Sequence, residues 1–284
     1  LGFKVEAQGL EIEIGVKPIG EVYIHEETIP RLLAQLVSDI EHNNEVRNPI
    51  IVDSNTSVVL DGMHRVTALR EIGCHYLPVC LVDYTSPKIN VGCWYRVIRD
   101  WIGESRLLDV MGHLKLHVEK SNIEEVQARL ADRKATMALF TAANCYLVSA
   151  PKTDIMESYK WVKRFETAAS GEGLHISYET EPDAIWQIRS GKYSAALLVP
   201  KTTKEEVIKS AISGELFSHK TTRHTLPARP VNVNISLQWL KGEKSLKEVD
   251  ELIEAQLSKK KLVRISRGSF FEGKHYDEEL LLFR

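Results

Sequence analysis

Residues 60–73 (Leu60, Asp61, Gly62, Met63, His64, Arg65, Val66, Thr67, Ala68, Leu69, Arg70, Glu71, Ile72, Gly73) constrain this chain more than any other stretch. They follow an apolar run, Pro49, Ile50, Ile51 and Val52, and a polar turn at 53–56, so they read as a strand end opening directly into a helix. Val66, Leu69 and Ile72 give that helix a buried stripe, and Gly73 ends it with a residue that tolerates the left-handed cap. Such a junction is an anion site: Gly62 permits a tight turn, the first-turn amides point outward, and the helix dipole adds roughly half a positive charge there. His64, donating from its ring, and Arg65 place two more donors on the same spot, so phosphate is the expected guest. Asp61 reads either as the helix N-cap or, beside a diphosphate, as a direct or water-mediated magnesium ligand; magnesium takes one or two carboxylates and keeps several waters. An ordinary capped helix explains the local pattern equally well.

A second constellation lies far downstream. Lys220, Thr221, Thr222, Arg223 and His224 gather two fixed positive charges, two hydroxyls and an imidazole within five residues. Arginine presents a planar fork suited to carboxylate or phosphate and lysine a point charge, although a basic surface turn would show the same composition.

The residues at 61–69 resemble the Asp-Gly-x-His-Arg signature of the ParB/sulfiredoxin-like superfamily. His25 and Glu26, ahead of an amphipathic helix beginning near Arg31, resemble the His-Glu of the free L-serine kinases, and the stretch from Gly214 through Lys220, Thr221, Thr222, Arg223 and His224 to Pro230 is similar to their C-terminal segment. The three motifs fall in the family's order across residues 25–230. The resemblance implies a kinase that moves a phosphoryl group from ATP or ADP, with Mg2+, to the hydroxyl of L-serine. It implies Glu26 as the general base, with Asp61 and His64 also catalytic. Asp61, Gly62, Met63, His64, Arg65, Thr221, Thr222 and Arg223 would hold the nucleotide phosphates. Trp94, Lys220, Thr222, Arg223 and His224 would line the serine site, and Asp61 would meet the metal. His25 is expected to help orient its acidic neighbours, and core packing is an equally good local account of Trp94. The fold implied is α/β (α+β), a ParB/sulfiredoxin-like nucleotide-binding domain at 1–104 packed against a second α/β domain at 105–284 that carries the late segment and a helix-hairpin extension.

Composition agrees with a soluble, cytoplasmic chain. With 284 residues there is ample core, a net charge of −2 draws the chain toward neither nucleic acid nor acidic lipid, and no apolar run reaches the ~20 residues that span a bilayer. Cys74, Cys80, Cys93 and Cys145 form no Cys-x-x-Cys pair and read as reduced, buried thiols. His113 and His117 sit in an alternating segment, where they would share one strand face, but no third metal ligand is near.

Along the chain, short strands are expected at 22–24, around Ile50 and Val59 and at 77–82, and after a loop at 84–90 the apolar pattern resumes over 91–98 with Trp94 and Tyr95. Beyond Ser105, helices and strands alternate: a helix to Ala131 capped by Ser121 and Glu124, strands at 137–140 and 146–148, and a helix striped by Ile155, Tyr159, Val162 and Phe165. A strand near Ile176, a helix at 183–189, a strand at 195–199 and a helix at 204–212 follow. Val231, Val233, Ile235 and Leu237 alternate with polar residues as a half-buried strand does, 245–257 reads as a helix, and a hairpin is expected around Arg267.

Rival readings have discriminating residues. A sulfiredoxin needs a cysteine where this chain has Met63, and a ParB partition protein needs a basic stripe and a helix-turn-helix, neither of which is evident. No Gly-x-x-x-x-Gly-Lys-Ser/Thr loop or protein-kinase motif set is present. The alternative from another class is a nucleotide-sensing ParB-like regulator that binds DNA or a protein without catalysis; Glu26 separates the two, since a sensor needs no base.

Overall fold

The computed structural model describes residues 2–100, 103–151 and 154–284. Its elements, in chain order, begin with strands Phe3–Ala7 (β1) and Leu10–Pro18 (β2), helix Pro30–Asn43 (α1), strands Glu45–Val46 (β3), Ile50–Asp53 (β4) and Val59–Asp61 (β5), helix Met63–Glu71 (α2) and strand Tyr76–Val82 (β6). Then come strands Asn90–Gly92 (β7) and Tyr95–Ile98 (β8), helix Glu104–His113 (α3), strand His117–Ser121 (β9), helix Ile123–Ala131 (α4), strands Met137–Thr141 (β10) and Cys145–Ser149 (β11) and helix Ile155–Gly171 (α5). Strand Ile176–Glu179 (β12), helix Glu181–Arg189 (α6), strand Ala195–Leu198 (β13), helix Lys204–Ser213 (α7) and strands Arg223–Thr225 (β14), Ala228–Val231 (β15) and Ile235–Ser236 (β16) follow. The chain ends with helices Leu237–Lys241 (α8) and Leu246–Lys259 (α9) and strands Leu262–Ile265 (β17), Ser269–Phe271 (β18), Lys274–Tyr276 (β19) and Glu279–Phe283 (β20).

This mixed α/β chain divides into two compact units, each discontinuous in sequence: Leu1–Asn90 with Lys204–His219 and His224–Arg284, and Val91–Thr203 with Lys220–Arg223. The expected division drew a single boundary after residue 104. The difference has a structural cause: β8 is an inner strand of the second unit's sheet, flanked by β12 and β13, and the C-terminal elements count with the first unit.

In the first unit a five-stranded sheet runs β1-β2-β6-β4-β5. β4 and β6 are parallel, with Ile51 opposite Cys80, and β5 returns antiparallel to β4. Ile50, Ile51 and Val52 are each no more than 1% exposed, as befits a strand covered on both faces. The Asp53 carboxylate shapes the β4–β5 turn: it accepts from the amide and hydroxyl of Thr56 and, through its other oxygen, from the Tyr84 amide. α1 packs on α2, and α9 lies on β1 and β2. A second sheet of this unit, β15-β20-β17, places β20 parallel to β15 and antiparallel to β17. The second unit is a six-stranded antiparallel sheet, β12-β8-β13-β10-β11-β9.

Several local expectations change. The hairpin β1–β2 is absent from the expected elements, although Glu11, Ile12, Glu13 and Ile14 alternate as strand residues do. His113 closes α3 and His117 opens β9, so they share no strand face, and among the described residues no group of three His, Cys, Asp or Glu can hold a metal. The cap of α4 falls one residue later than expected, on Asn122, whose side chain accepts from the Glu125 amide. Residues 22–24 contribute a single bridge, Tyr23 to Val58, rather than a strand. The expected strand from Val231 to Leu237 is broken because Asn232 and Asn234 take φ values of +58° and +51°, after which α8 begins at Leu237. The inner hairpin near Arg267 is β18–β19. No helix of the described residues is long and apolar enough to cross a membrane.

Left-handed backbone strains any residue with a Cβ less tolerant than asparagine's, by about 1 kcal/mol. Asn234→Ala should therefore lower unfolding stability by that amount while Asn234→Gly leaves it nearly unchanged, read from urea denaturation; equal losses would mean that the asparagine side chain, not the backbone angle, holds the break.

Candidate functional site

The glycine elbow forms as its sequence suggests. Gly62 is the residue preceding α2, with φ +105°, and its carbonyl accepts from the Val66 amide at 2.9 Å. Only glycine fits here, because a Cβ would meet the Arg65 guanidinium at 2.9 Å as well as the forbidden φ. Asp61 does not cap the helix; its Oδ2 accepts from Arg65 Nη2 at 3.2 Å and from Arg229 Nη1. Arg65 Nη1 in turn donates to the carbonyls of Asn48 and Pro49, at 2.9 and 2.7 Å, which fastens the residues leading into β4 to the elbow. The expected phosphate donor is thus first a brace. Arg229 is clasped on its other side by Glu278, through Nε to Oε2 at 2.7 Å and Nη2 to Oε1 at 3.1 Å. Burial opposes the charge on Asp61, yet Arg229 and Arg65 outweigh it and hold its carboxyl well below the usual carboxylate range. Its side chain keeps 41% of its surface open, so the cluster reaches solvent at Asp61 while Arg65, Arg229 and Glu278 stay largely covered.

His64 lies in the first turn of α2, where its Nε2 accepts from the Ile29 amide at 2.9 Å. A neutral ring that accepts at Nε2 carries its proton on Nδ1, so any donation to a phosphate belongs to Nδ1. The same contact ties the elbow to the residue preceding α1. Met63 is the first residue of α2 and is half-buried.

His25 and Glu26 are buried in the same unit, at 0% and 6% exposure. Their backbone pairs with the head of the late segment: the Phe217 amide donates to the His25 carbonyl and the Glu27 amide to the Phe217 carbonyl, both at 2.9 Å. His25 Nε2 stands 3.8 Å from Glu26 Oε1. The His25 and His224 rings meet edge to face, centroids 5.6 Å apart, and His224 Nε2 pairs with the Tyr84 hydroxyl at 2.7 Å. Burial, and for His224 the neighbouring His25, pushes the imidazoles down to about 4 and about 3, so both are neutral at physiological pH. His224 therefore offers hydrogen bonding and packing in place of positive charge. Within this unit the early acid, the elbow and the late segment from Phe217 and from His224 onward share one neighbourhood, and Asp61 acts electrostatically on both histidines.

The remaining expected residues form a cluster in the second unit. Three successive carbonyls there are gripped by side chains: Arg96 donates to Lys220, Tyr159 to Thr221 and Trp94 Nε1 to Thr222, at 3.1, 3.3 and 3.0 Å. Lys220 Nζ and the Arg223 guanidinium lie over the Trp94 ring, 4.7 and 5.6 Å from its centroid, contacts that fix cations on an aromatic face. Arg96 itself is wholly buried, pairs with Glu166 at 2.9 Å and packs beside Tyr159 and Tyr178. Sequence reading did not single out Arg96, Glu166, Arg229 or Glu278. Arg229 lies inside the recognisable late segment, but no local pattern marks Glu278 among its acidic neighbours Asp277 and Glu279.

No family model matches the chain. It is 28% identical over 225 residues to the ATP-dependent L-serine kinase of Staphylothermus marinus, covering 76% of this chain and 87% of that protein. It is 25% identical over 241 residues to the ADP-dependent L-serine kinase SerK of Thermococcus kodakarensis, covering 80% and 96%. Among solved structures it superposes on a free serine kinase in complex with AMP at a TM-score of 0.69, with 20% identity over 80% of this chain and 93% of that one. The fold is thus that of a solved nucleotide-bound serine kinase. The chain is a homologue of the ATP- and ADP-dependent L-serine kinases.

Two outcomes follow from this geometry. Gly62→Ala should destabilise the protein by about 1–3 kcal/mol, since it sets a Cβ against Arg65 in a left-handed backbone; denaturant unfolding reads the loss, and an unchanged midpoint would contradict it. Because both histidine pKa values are lower folded than unfolded, the unfolded chain binds more protons below pH 6.5. Stability is then full above that pH and falls as pH drops toward about 4, approaching ~1.4 kcal/mol per pH unit for each histidine. His224→Asn should flatten that slope, measured as melting temperature against pH; an identical slope would assign it to other groups.

Proposed function

We propose that this protein is a kinase that moves a phosphoryl group from ATP or ADP to the hydroxyl of L-serine, giving O-phospho-L-serine. The observation that carries the reading is the buried pairing of 25–27 with Phe217 beside the Asp61–Arg65–Arg229 elbow, which gives one unit both a sheltered carboxylate and a phosphate-type junction. The kinship with L-serine kinases supplies the substrate class. In the proposed reaction the serine Oγ forms a bond to the terminal phosphorus of the nucleotide as its bridging P–O bond breaks. The Oγ proton passes to the Glu26 carboxylate, and the leaving ADP or AMP keeps the bonding electron pair. A serine hydroxyl is a weak nucleophile, so a carboxylate that orients it and takes its proton lowers the barrier directly. Asp61, Gly62, Met63, His64 and Arg65, with Thr221, Thr222 and Arg223, are the proposed phosphate contacts. Trp94, Lys220, Thr222, Arg223 and His224 are the proposed serine contacts.

Magnesium fits this site only as an ion that arrives on the nucleotide. Asp61 Oδ2 is taken by two guanidinium groups, which leaves Oδ1 as its oxygen for a largely hydrated cation. When bound, the ion would offset phosphate charge. A ParB/sulfiredoxin-like character of the first unit belongs to the same proposal, supported by 25% identity over 216 residues to a ParB-like protein of Sulfolobus acidocaldarius.

Incubation with L-serine, Mg2+ and either ATP or ADP should yield phosphoserine. Bound nucleotide without product from either donor would instead favour a nucleotide sensor. Glu26→Gln should cut turnover by roughly a hundredfold or more while nucleotide affinity stays within about twofold, the magnitude expected of a lost general base; parallel loss of both would remove Glu26 from that role.

A further inference from the structure

Glu278 links the C-terminal strands to the elbow. It directly precedes β20, whose first residues pair with Ala228 and Arg229 of β15. Its Oε1 accepts from the Leu226 amide at 2.9 Å, and both its oxygens hold the Arg229 guanidinium. Arg229 reaches from that clasp to Asp61 Oδ2, which also receives Arg65, and Asp61 is bonded to Gly62. Glu278 is only 6% exposed, so the clasp is sheltered from solvent, and burial strengthens rather than screens it. Arg229 is correspondingly held firmly protonated: burial alone would lower its pKa, and Glu278 and Asp61 reverse that.

We propose that Glu278 is a positioning residue for nucleotide phosphate binding, acting through Arg229 on the Asp61–Gly62 elbow. This rests on the proposed kinase reading for its ligand, though not on the chemistry that follows binding. The bidentate clasp fixes where the Arg229 fork can point, and a fork fixed on one side presents its remaining nitrogen in one direction. The relay balances two carboxylates against two guanidiniums, so deleting either kind of charge would change both geometry and field. Charge-preserving variants separate the two. Glu278→Asp keeps the charge but shortens the reach by one methylene, and Arg229→Lys keeps the charge but loses the fork.

Calorimetric titration of the full chain with ADP and Mg2+, with melting temperatures alongside, tests the relay. Each variant should raise the ADP Kd roughly tenfold, with the KM for L-serine within about twofold of wild type. The double variant should bind no more weakly than the weaker single one, since both cut one link. Unchanged ADP affinity in folded Glu278→Asp or Arg229→Lys protein overturns the proposal, and so does a fall in melting temperature without a change in Kd. Should Glu278→Asp fail to fold, Arg229→Lys decides alone. Weakened ADP binding in a protein that makes no phosphoserine would uphold the relay and sink the kinase reading. Phosphoserine formation with unaltered ADP affinity in the variants would do the reverse.

Discussion

The Asp61 carboxylate is the point at which three distant stretches of chain become one object. Arg65 reaches it from the helix that follows, Arg229 from β15, and through these two it is connected to the residues leading into β4 and to the residue that precedes β20. Each link is a charge-assisted hydrogen bond with at least one sheltered partner, the class of interaction strong enough to hold a glycine elbow in one shape. Glycine lets the backbone turn there, but glycine by itself would let it turn in many ways. The ion cluster selects one.

Much of this was legible because it is local. A strand, a polar turn, Gly62 and an apolar stripe at helical spacing lie within some twenty residues, and each signal depends on its neighbours along the chain. The helices with strong apolar faces, α1, α5 and α9, were equally visible for that reason, whereas the Ser245 cap of α9 and its reciprocal Glu248 contact, also local, went unread. What the sequence concealed is relational. Val231, Val233, Ile235 and Leu237 alternate like a strand, yet two intervening asparagines adopt left-handed angles and the run becomes two short strands and a helix. Glu278 shows no pattern at all, since its meaning lies in a guanidinium 49 residues earlier in the chain. The early hairpin β1–β2 was a missed local signal rather than a hidden one.

Arg96 shows how the second unit reaches a comparable result with different means. A fully buried guanidinium is costly unless its donors are met, and here Glu166, two main-chain carbonyls and two tyrosine rings meet them. The carbonyls of Lys220, Thr221 and Thr222 are all consumed by side chains of that unit. In a trans peptide the N–H points opposite to the preceding carbonyl. Gripping three successive carbonyls therefore fixes the direction of the amides at 221–223 as well, and a segment that composition describes only as basic acquires a definite shape.

The neutral histidines bear on how Glu26 would work. An imidazolium 3.8 Å from the carboxylate would stabilise its charged form and make it a weaker base. Burial keeps His25 uncharged, and His224, packed edge to face against it, adds a further penalty to protonation of the pair. In the proposed reaction the proton leaves serine for a carboxylate whose imidazole neighbour can orient it without draining its basicity. The cationic charge of the first unit's cluster is instead concentrated at Arg65 and Arg229, beside the elbow where phosphate would sit, and each guanidinium there is already matched by a carboxylate. In the proposed reaction this arrangement would set the cluster's fixed charge beside the donor's phosphates and leave the neighbours of the Glu26 carboxylate neutral.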